Sequence, residues 1–191
     1  MKAGWKIKPL GEVCEFSNGQ AHEKCIDDAG KYKLINSKFV SSEGLDFKRT
    51  NNALSPLYEN DIAIVMSDVP NGKTLAKCFL VDKNDTYTLN QRIGVIRSNN
   101  FDPRFLYYQL NRNKHFLLFN NGENQTNLRK ADILNCKLCL PPLSEQQRIV
   151  KILDELSTDT KKLEAIYRQK IRALEELKKS ILNQAFSGQL D

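Results

Sequence analysis

Two groupings in this 191-residue sequence have residue types and spacing that could do chemistry. Asn71-Gly72-Lys73-Thr74 has the ending of a phosphate-binding loop, in which a lysine and a hydroxyl meet the phosphates. Such a loop needs another glycine five residues before Gly72. Ser67 stands there instead, and the residues after Thr74 alternate like a strand where a helix should open. Cys136 and Cys139 have the spacing of a zinc pair. On a strand, however, positions i and i+3 point to opposite faces, and only His22 and His115 are at hand to complete a ligand set. Buried structural thiols are the better reading. The sequence has no Gly-x-Ser-x-Gly elbow and no Pro-Asp dipeptide that could begin a common nuclease motif. It has neither a glycine-rich loop for S-adenosylmethionine nor an Asn/Asp-Pro-Pro-aromatic methylase motif; Asp102-Pro103-Arg104 comes nearest. No catalytic residue and no metal ligand is assigned, and the chain is expected to be catalytically silent.

Composition bounds what is left. Hydrophobic residues are 40% and charged residues 27%, enough apolar material for a core and too much for global disorder. The aliphatic run Ile62–Met66 is far shorter than the roughly 20 residues of a membrane span, and MKAGWKIKPLGE has no apolar secretory segment. Five scattered cysteines, an odd number, read as reduced thiols in a cytoplasm. The formal charge is +6, a modest excess that suits a polyanion partner. It is uneven: residues 1–143 carry 20 Lys and Arg against 15 Asp and Glu, whereas residues 144–191 carry 9 against 8.

The same boundary appears in the glycines and prolines. All six prolines, and every glycine except Gly188, lie before residue 144. A loop-rich part of 1–143 therefore ends at Pro141-Pro142, and a long helix is expected over 144–191. Ser144 and Gln147 have capping-box spacing, and Gly188 suits a left-handed stop. Ile149, Leu153, Leu156, Leu163, Tyr167, Leu174, Leu177 and Ile181 recur at alternating spacings of three and four, interrupted by Thr160, Lys170 and Gln184. About forty helical residues span about 60 Å. A stripe that long exceeds what one small domain can cover, so the seam is read as a coiled-coil interface rather than a helix folded back on its own domain.

The first part reads as α+β, a mixed α/β domain before the long helix. Alternating or β-branched runs predict strands over 31–36, 61–66, 76–81, 89–97 and 136–140. Asp102 as cap with Pro103 in the first turn and Phe101 stapling onto Leu106 predicts a helix from 102 towards Leu118, stopping near Asn120-Asn121-Gly122. Polar turns rich in Asn, Ser, Gly and Lys make up the rest and suit a recognition surface.

Several segments together resemble a known family. Leu140-Pro141-Pro142-Leu143-Ser144-Glu145-Gln146-Gln147-Arg148-Ile149, with a heptad helix ending Ala185-Phe186-Ser187-Gly188-Gln189-Leu190, resembles the specificity subunit of type I restriction-modification systems. Trp5–Cys14 is similar to the start of a target recognition domain in that family, Asn60–Val65 to its mid-domain strand and Asn90-Gln91-Arg92 to a later one. Gly122–Leu128 is similar to the polar turn before the last strand. The resemblance spans nearly the whole chain and implies a target recognition domain, 1–143, followed by a conserved coiled-coil helix, 144–191. A full subunit of the family carries two such units whose helices pair antiparallel, each domain reading one half of a split DNA sequence. This chain holds one unit.

The resemblance also implies the partners. These are double-stranded DNA, modification subunits that bind S-adenosylmethionine and methylate adenine, restriction subunits, and a second specificity half or another copy of this chain, with no membrane. No cofactor is expected on the chain itself. Asn71, Lys73, Arg92, Asn124, Gln125 and Thr126 lie where the family's polar loops lie. Asn and Gln can read adenine in the major groove, and Arg or Lys can read guanine or hold phosphates. Lys38, Arg49 and Lys114 are added as phosphate contacts. The competing reading is a stand-alone DNA-binding regulator that dimerises through the coiled coil, although no helix-turn-helix or zinc module is legible. An adaptor protein would use the helix alone and would carry no DNA-reading loops.

Overall fold

The structure is a computed structural model and describes residues 4–70 and 72–188. The chain divides into two compact units, residues 1–147 and 148–191. In the first, the strands are β1 Lys6–Pro9, β2 Glu15–Asn18, β3 Tyr32–Ile35, β4 Lys48–Thr50, β5 Ile62–Val65, β6 Ser67–Asp68, β7 Cys78–Leu80, β8 Tyr87–Leu89, β9 Ile93–Arg97, β10 Thr126–Asn127 and β11 Lys137–Leu140. The helices are α1 Leu10–Val13, α2 Ser37–Ser41, α3 Pro103–Leu110, α4 Lys114–Leu117 and α5 Lys130–Leu134; the long helix, α6, is Leu143–Phe186. This is the mixed α and β architecture with a long C-terminal helix that the sequence predicts.

The β-branched run Ile62-Ala63-Ile64-Val65 is buried at every position, as a central strand covered on both faces must be. It sits inside the antiparallel sheet β2-β9-β5-β7. A second sheet, β4-β3-β8, joins β3 parallel to β8. Ile35, Phe39 and Leu89 from the second sheet and its helix pack with Ala63, Val65, Ile93 and Val95 from the first in one hydrophobic cluster. The expected strand over 89–97 is two strands, because Asn90-Gln91-Arg92 turn the chain from one sheet into the other. At the sheet margin Arg97 grips the buried Asp61 with both ends of its fork, Nε to Oδ1 at 2.7 Å and Nη2 to Oδ2 at 2.8 Å.

α3 begins as expected. The Asp102 carboxylate accepts from the N–H groups of Arg104 and Phe105 and Pro103 opens the first turn; the ring that Phe101 stacks on is Phe105, one residue before the Leu106 expected as its staple. It does not continue to Leu118. The chain breaks at Arg112, which takes a left-handed φ of 57° and donates its N–H to Ala76 O, and Asn113 then caps α4. α6 starts at Leu143, before the expected cap. Pro142 O accepts from Gln146 N, which places Ser144 inside the first turn. At the far end Gly188 has φ +70°, the left-handed stop expected there.

Considered by itself, α6 exposes most of its apolar stripe. Leu156, Leu163, Tyr167, Leu174, Leu177 and Ile181 are exposed, and Ile149 and Leu153 are part-buried. Ile152, Ile166, Ile171 and Leu182, which lie outside the seam read from the sequence, are exposed as well and widen the stripe. No described helix is long and apolar enough to cross a membrane.

Candidate nucleic-acid interface

Three polar segments far apart in sequence meet at the backbone of Met66. Its N–H donates to Arg92 O at 3.1 Å, and its carbonyl accepts from Leu128 N at 2.8 Å. The next two residues form β6, which pairs antiparallel with β10 in the register Ser67–Asn127 and Asp68–Thr126. This joint sets the 90–92 turn, the 69–75 loop and the 120–127 loop along one edge. Of the residues flagged from sequence, it brings together Lys73, Arg92, Asn124, Gln125 and Thr126; Asn71 lies outside the described residues.

The 69–75 loop is held by one carboxylate. Asp68 Oδ2 accepts from the N–H groups of Thr74 at 2.7 Å and Leu75 at 2.9 Å, and Oδ1 accepts from Val69 N–H. Burial alone would raise the Asp68 pKa, but the hydrogen bonds from Thr74, Leu75 and Val69 outweigh it and hold the group below its ordinary value. Gly72 closes the loop at the one place where a Cβ would overlap that carboxylate. From the other side Arg112 Nη1 donates to Leu75 O at 2.9 Å. Neither Asp68 nor Arg112 is a motif residue. An acidic residue two positions before a Pro-Asn-Gly turn was the one available signal, as it is for many turns.

Around this edge exposed amides and cations stand with one exposed acid, Glu123. Lys73, Arg92, Asn124 and Gln125 are exposed, while Thr126 is buried in the ladder. A hollow of about 370 Å³ opens beside Asn124 and Gln125, lined also by Phe119, Asn127, Arg129 and Asp132 among others. Lys114 opens α4 two residues beyond Arg112. Lys38 and Arg49 belong to the other sheet and its helix. Lys38 is paired with Asp46 at 2.6 Å, and Arg49 donates to Gly30 O and lies over the Phe47 ring. Among the described residues no strand pair or backbone hydrogen bond joins them directly to the Met66 joint. A second hollow, of about 400 Å³ beside Glu12, Cys14, Glu15 and Asn100, is lined by two acids, and its arginine, Arg97, is engaged by Asp61.

Both histidines and two of the thiols are otherwise engaged. His22 is buried, with Nδ1 on Gln20 O and Nε2 on Thr88 Oγ1, and His115 Nε2 lies 2.8 Å from Asp132 O. Burial pushes the Cys14 and Cys136 thiols up to about 11, away from the thiolate form that binds metals and attacks carbon. What the edge offers is hydrogen-bond donors, acceptors and positive charge, the equipment for reading a polyanion's bases and phosphates.

Comparison with known proteins follows the same line. The family model for the type I restriction modification DNA specificity domain matches residues 2–175. The chain is similar to the type I restriction enzyme EcoDI specificity subunit of Escherichia coli, at 26% identity over 97% of this chain and 38% of that protein. It is similar to the type I restriction enzyme MjaVIII specificity subunit of Methanocaldococcus jannaschii, at 24% identity over 96% of this chain and 42% of the relative. Among solved structures, a chain from work on complex assembly and conformational transition of the type I R-M system superposes with a TM-score of 0.80 at 21% identity, over 100% of this chain and 47% of that one. The HsdS subunit from Thermoanaerobacter tengcongensis superposes with a TM-score of 0.69 at 22% identity, over 100% of this chain and 46% of that one. These structural likenesses show the fold. The chain spans less than half the length of the relatives it matches.

Proposed function

The chain belongs to the type I restriction modification DNA specificity family, and from that premise we propose that its first unit reads one half of a split DNA target and performs no chemistry of its own. The observation that supports this reading is the joint at Met66, which ties the segments carrying Lys73, Arg92, Asn124 and Gln125 together, the last two beside an open hollow. Carboxamides present a donor and an acceptor together, as base edges in the major groove require, while cations meet phosphates and fix register. Lys114 extends this surface, Thr126 frames it, and Lys38 and Arg49 make peripheral phosphate contacts.

α6 serves assembly in this reading. Its exposed stripe pairs antiparallel with the helix of another copy or of a second specificity half, and modification subunits dock on the pair. Those subunits bind S-adenosylmethionine and methylate adenine, and restriction subunits join the same complex. The assembly works in the cytoplasm, where the DNA is. Co-expression of the full chain with its modification subunit tests this. A co-purifying complex that enriches one bipartite sequence from a randomised duplex library is expected. A chain that neither captures the subunit nor enriches any sequence with it would sink the reading.

A further inference from the structure

Ser67, Asn127 and Gln125 form a directional relay at the centre of the joint. The Ser67 hydroxyl donates to Asn127 Oδ1 at 2.6 Å and accepts from Gln125 Nε2 at 2.9 Å. The same Nε2 lies 3.3 Å from Asn127 Oδ1. A hydroxyl has a single hydrogen. While Asn127 presents Oδ1 and takes that hydrogen, only lone pairs face Gln125, so turning the Gln125 amide over alone would set two acceptors against each other. Ser67 is buried and the Asn127 backbone is fixed in the ladder opposite it, so the relay is anchored at Ser67, whereas the Asn127 and Gln125 side chains are both exposed. Among the described residues no donor is bonded to Gln125 Oε1.

We propose that Ser67 and Asn127 are positioning residues that hold the Gln125 carboxamide ready to read an adenine, an inference that rests on the DNA-recognition reading above. An amide nitrogen carries two hydrogens. Ser67 Oγ and Asn127 Oδ1, both bonded to Nε2 and only 2.6 Å apart, share one of them; the other points away beside Oε1, which no described residue meets. Adenine offers the matching pair in the major groove, N7 as acceptor and N6–H as donor. Guanine presents two acceptors there and meets Oε1 with no donor. Holding the amide before DNA arrives removes a cost of ordering a flexible side chain at the moment of contact, which is how framework residues sharpen a reader without touching the base.

The test is a randomised duplex library enriched by the full chain in complex with its modification subunit, comparing wild type with Gln125→Ala, Ser67→Ala and Asn127→Asp. Gln125→Ala should flatten one adenine position of the motif by about tenfold or more, since a bidentate pair discriminates by at least that order. Ser67→Ala should flatten the same position by a smaller factor and leave the other positions and the thermal melting unchanged. Asn127→Asp can only accept, so it keeps the relay direction; it should retain the adenine preference while lowering affinity for every sequence through its charge. A wild-type motif in which Gln125→Ala alters no adenine position, or in which Ser67→Ala leaves the position read by Gln125 unchanged, would overturn the proposal and leave the DNA-reading function standing. A wild-type complex that enriches no sequence would remove that function, and the proposal with it.

Discussion

The main-chain N–H of Asp102 donates to Gln146 Oε1 at 2.7 Å, so the residue that caps α3 is itself held by a side chain from the first turn of α6. Gln146 is 1% exposed, and its Nε2 donates to Pro141 O at 2.9 Å and to Asn100 O at 3.4 Å. One carboxamide thereby satisfies three backbone groups where the Pro-Pro joint meets the domain.

That arrangement predicts where the domain can be cut. Gln146→Leu leaves those buried groups without their partner and should lower stability by about 1–3 kcal/mol, measured by urea unfolding of the full chain. A fragment ending at Gln147 should melt close to the parent domain, and one ending at Leu143 should melt distinctly lower. Equal melting of the two fragments would mean that Gln146 contributes nothing.

Asp68 makes loop order depend on pH. Its folded pKa lies below the ordinary 3.8, so its contribution is complete above that value and is lost as pH falls through the lower folded value. Amide shifts of Thr74 and Leu75 should therefore titrate with a midpoint below 3.8. Gly72→Ala, which displaces the carboxylate, should release both amides at neutral pH. A midpoint at or above 3.8 would show that the loop is held by something other than this carboxylate.

How much of this was legible in the sequence follows from how local each signal is. Asp102-Pro103 declares a helix start within two residues, and Gly188 ends α6 as its type predicts, because caps are local chemistry. Ile62–Val65 reads as a strand because β-branched residues at consecutive positions suit burial on both faces. β6 and β10 carry no such mark. Each is two residues long, and each exists through pairing with the other. The Arg112 break was hidden for the same reason, since the partner of its N–H is Ala76 O, distant in sequence. Gln125 could be picked out as a polar turn residue, but Ser67 as its support could not, because that contact depends on the register of the ladder.

The α6 stripe predicts a concentration-dependent assembly. Leu163 and Leu174 are 54% and 64% exposed, so glutamate at either is readily tolerated by an isolated helix. In a paired helix each substitution puts an uncompensated charge into an apolar seam. Leu163→Glu and Leu174→Glu should leave helix content unchanged by circular dichroism and lower the sedimenting mass towards that of one chain. A mass unchanged in both variants would mean that another surface holds the copies together.

The last prediction joins the reader to the helix. In the proposed reading, one reader on one helix recognises half of a split target. Two copies paired antiparallel are related by a two-fold axis, which sets their readers apart along the helix pair. A two-fold protein demands two inverted copies of one half-site on DNA. Helices of about 60 Å are longer than one DNA turn of about 34–36 Å, so the bases between the half-sites go unread. The self-paired chain, with modification subunits bound, is therefore expected to recognise an interrupted palindrome with a fixed gap. Within it, Asn124→Ala should relax the same position in both halves, at about 1–3 kcal/mol per lost base contact. Lys73→Ala should weaken binding to all sequences alike and reduce the salt slope by about one. Methylome sequencing of cells that carry this chain as their only specificity subunit distinguishes the two arrangements of readers. Methylation at an inverted repeat shows two copies of this chain at work; methylation at two unrelated halves shows that a different second reader completes the target, and self-pairing would then be abandoned.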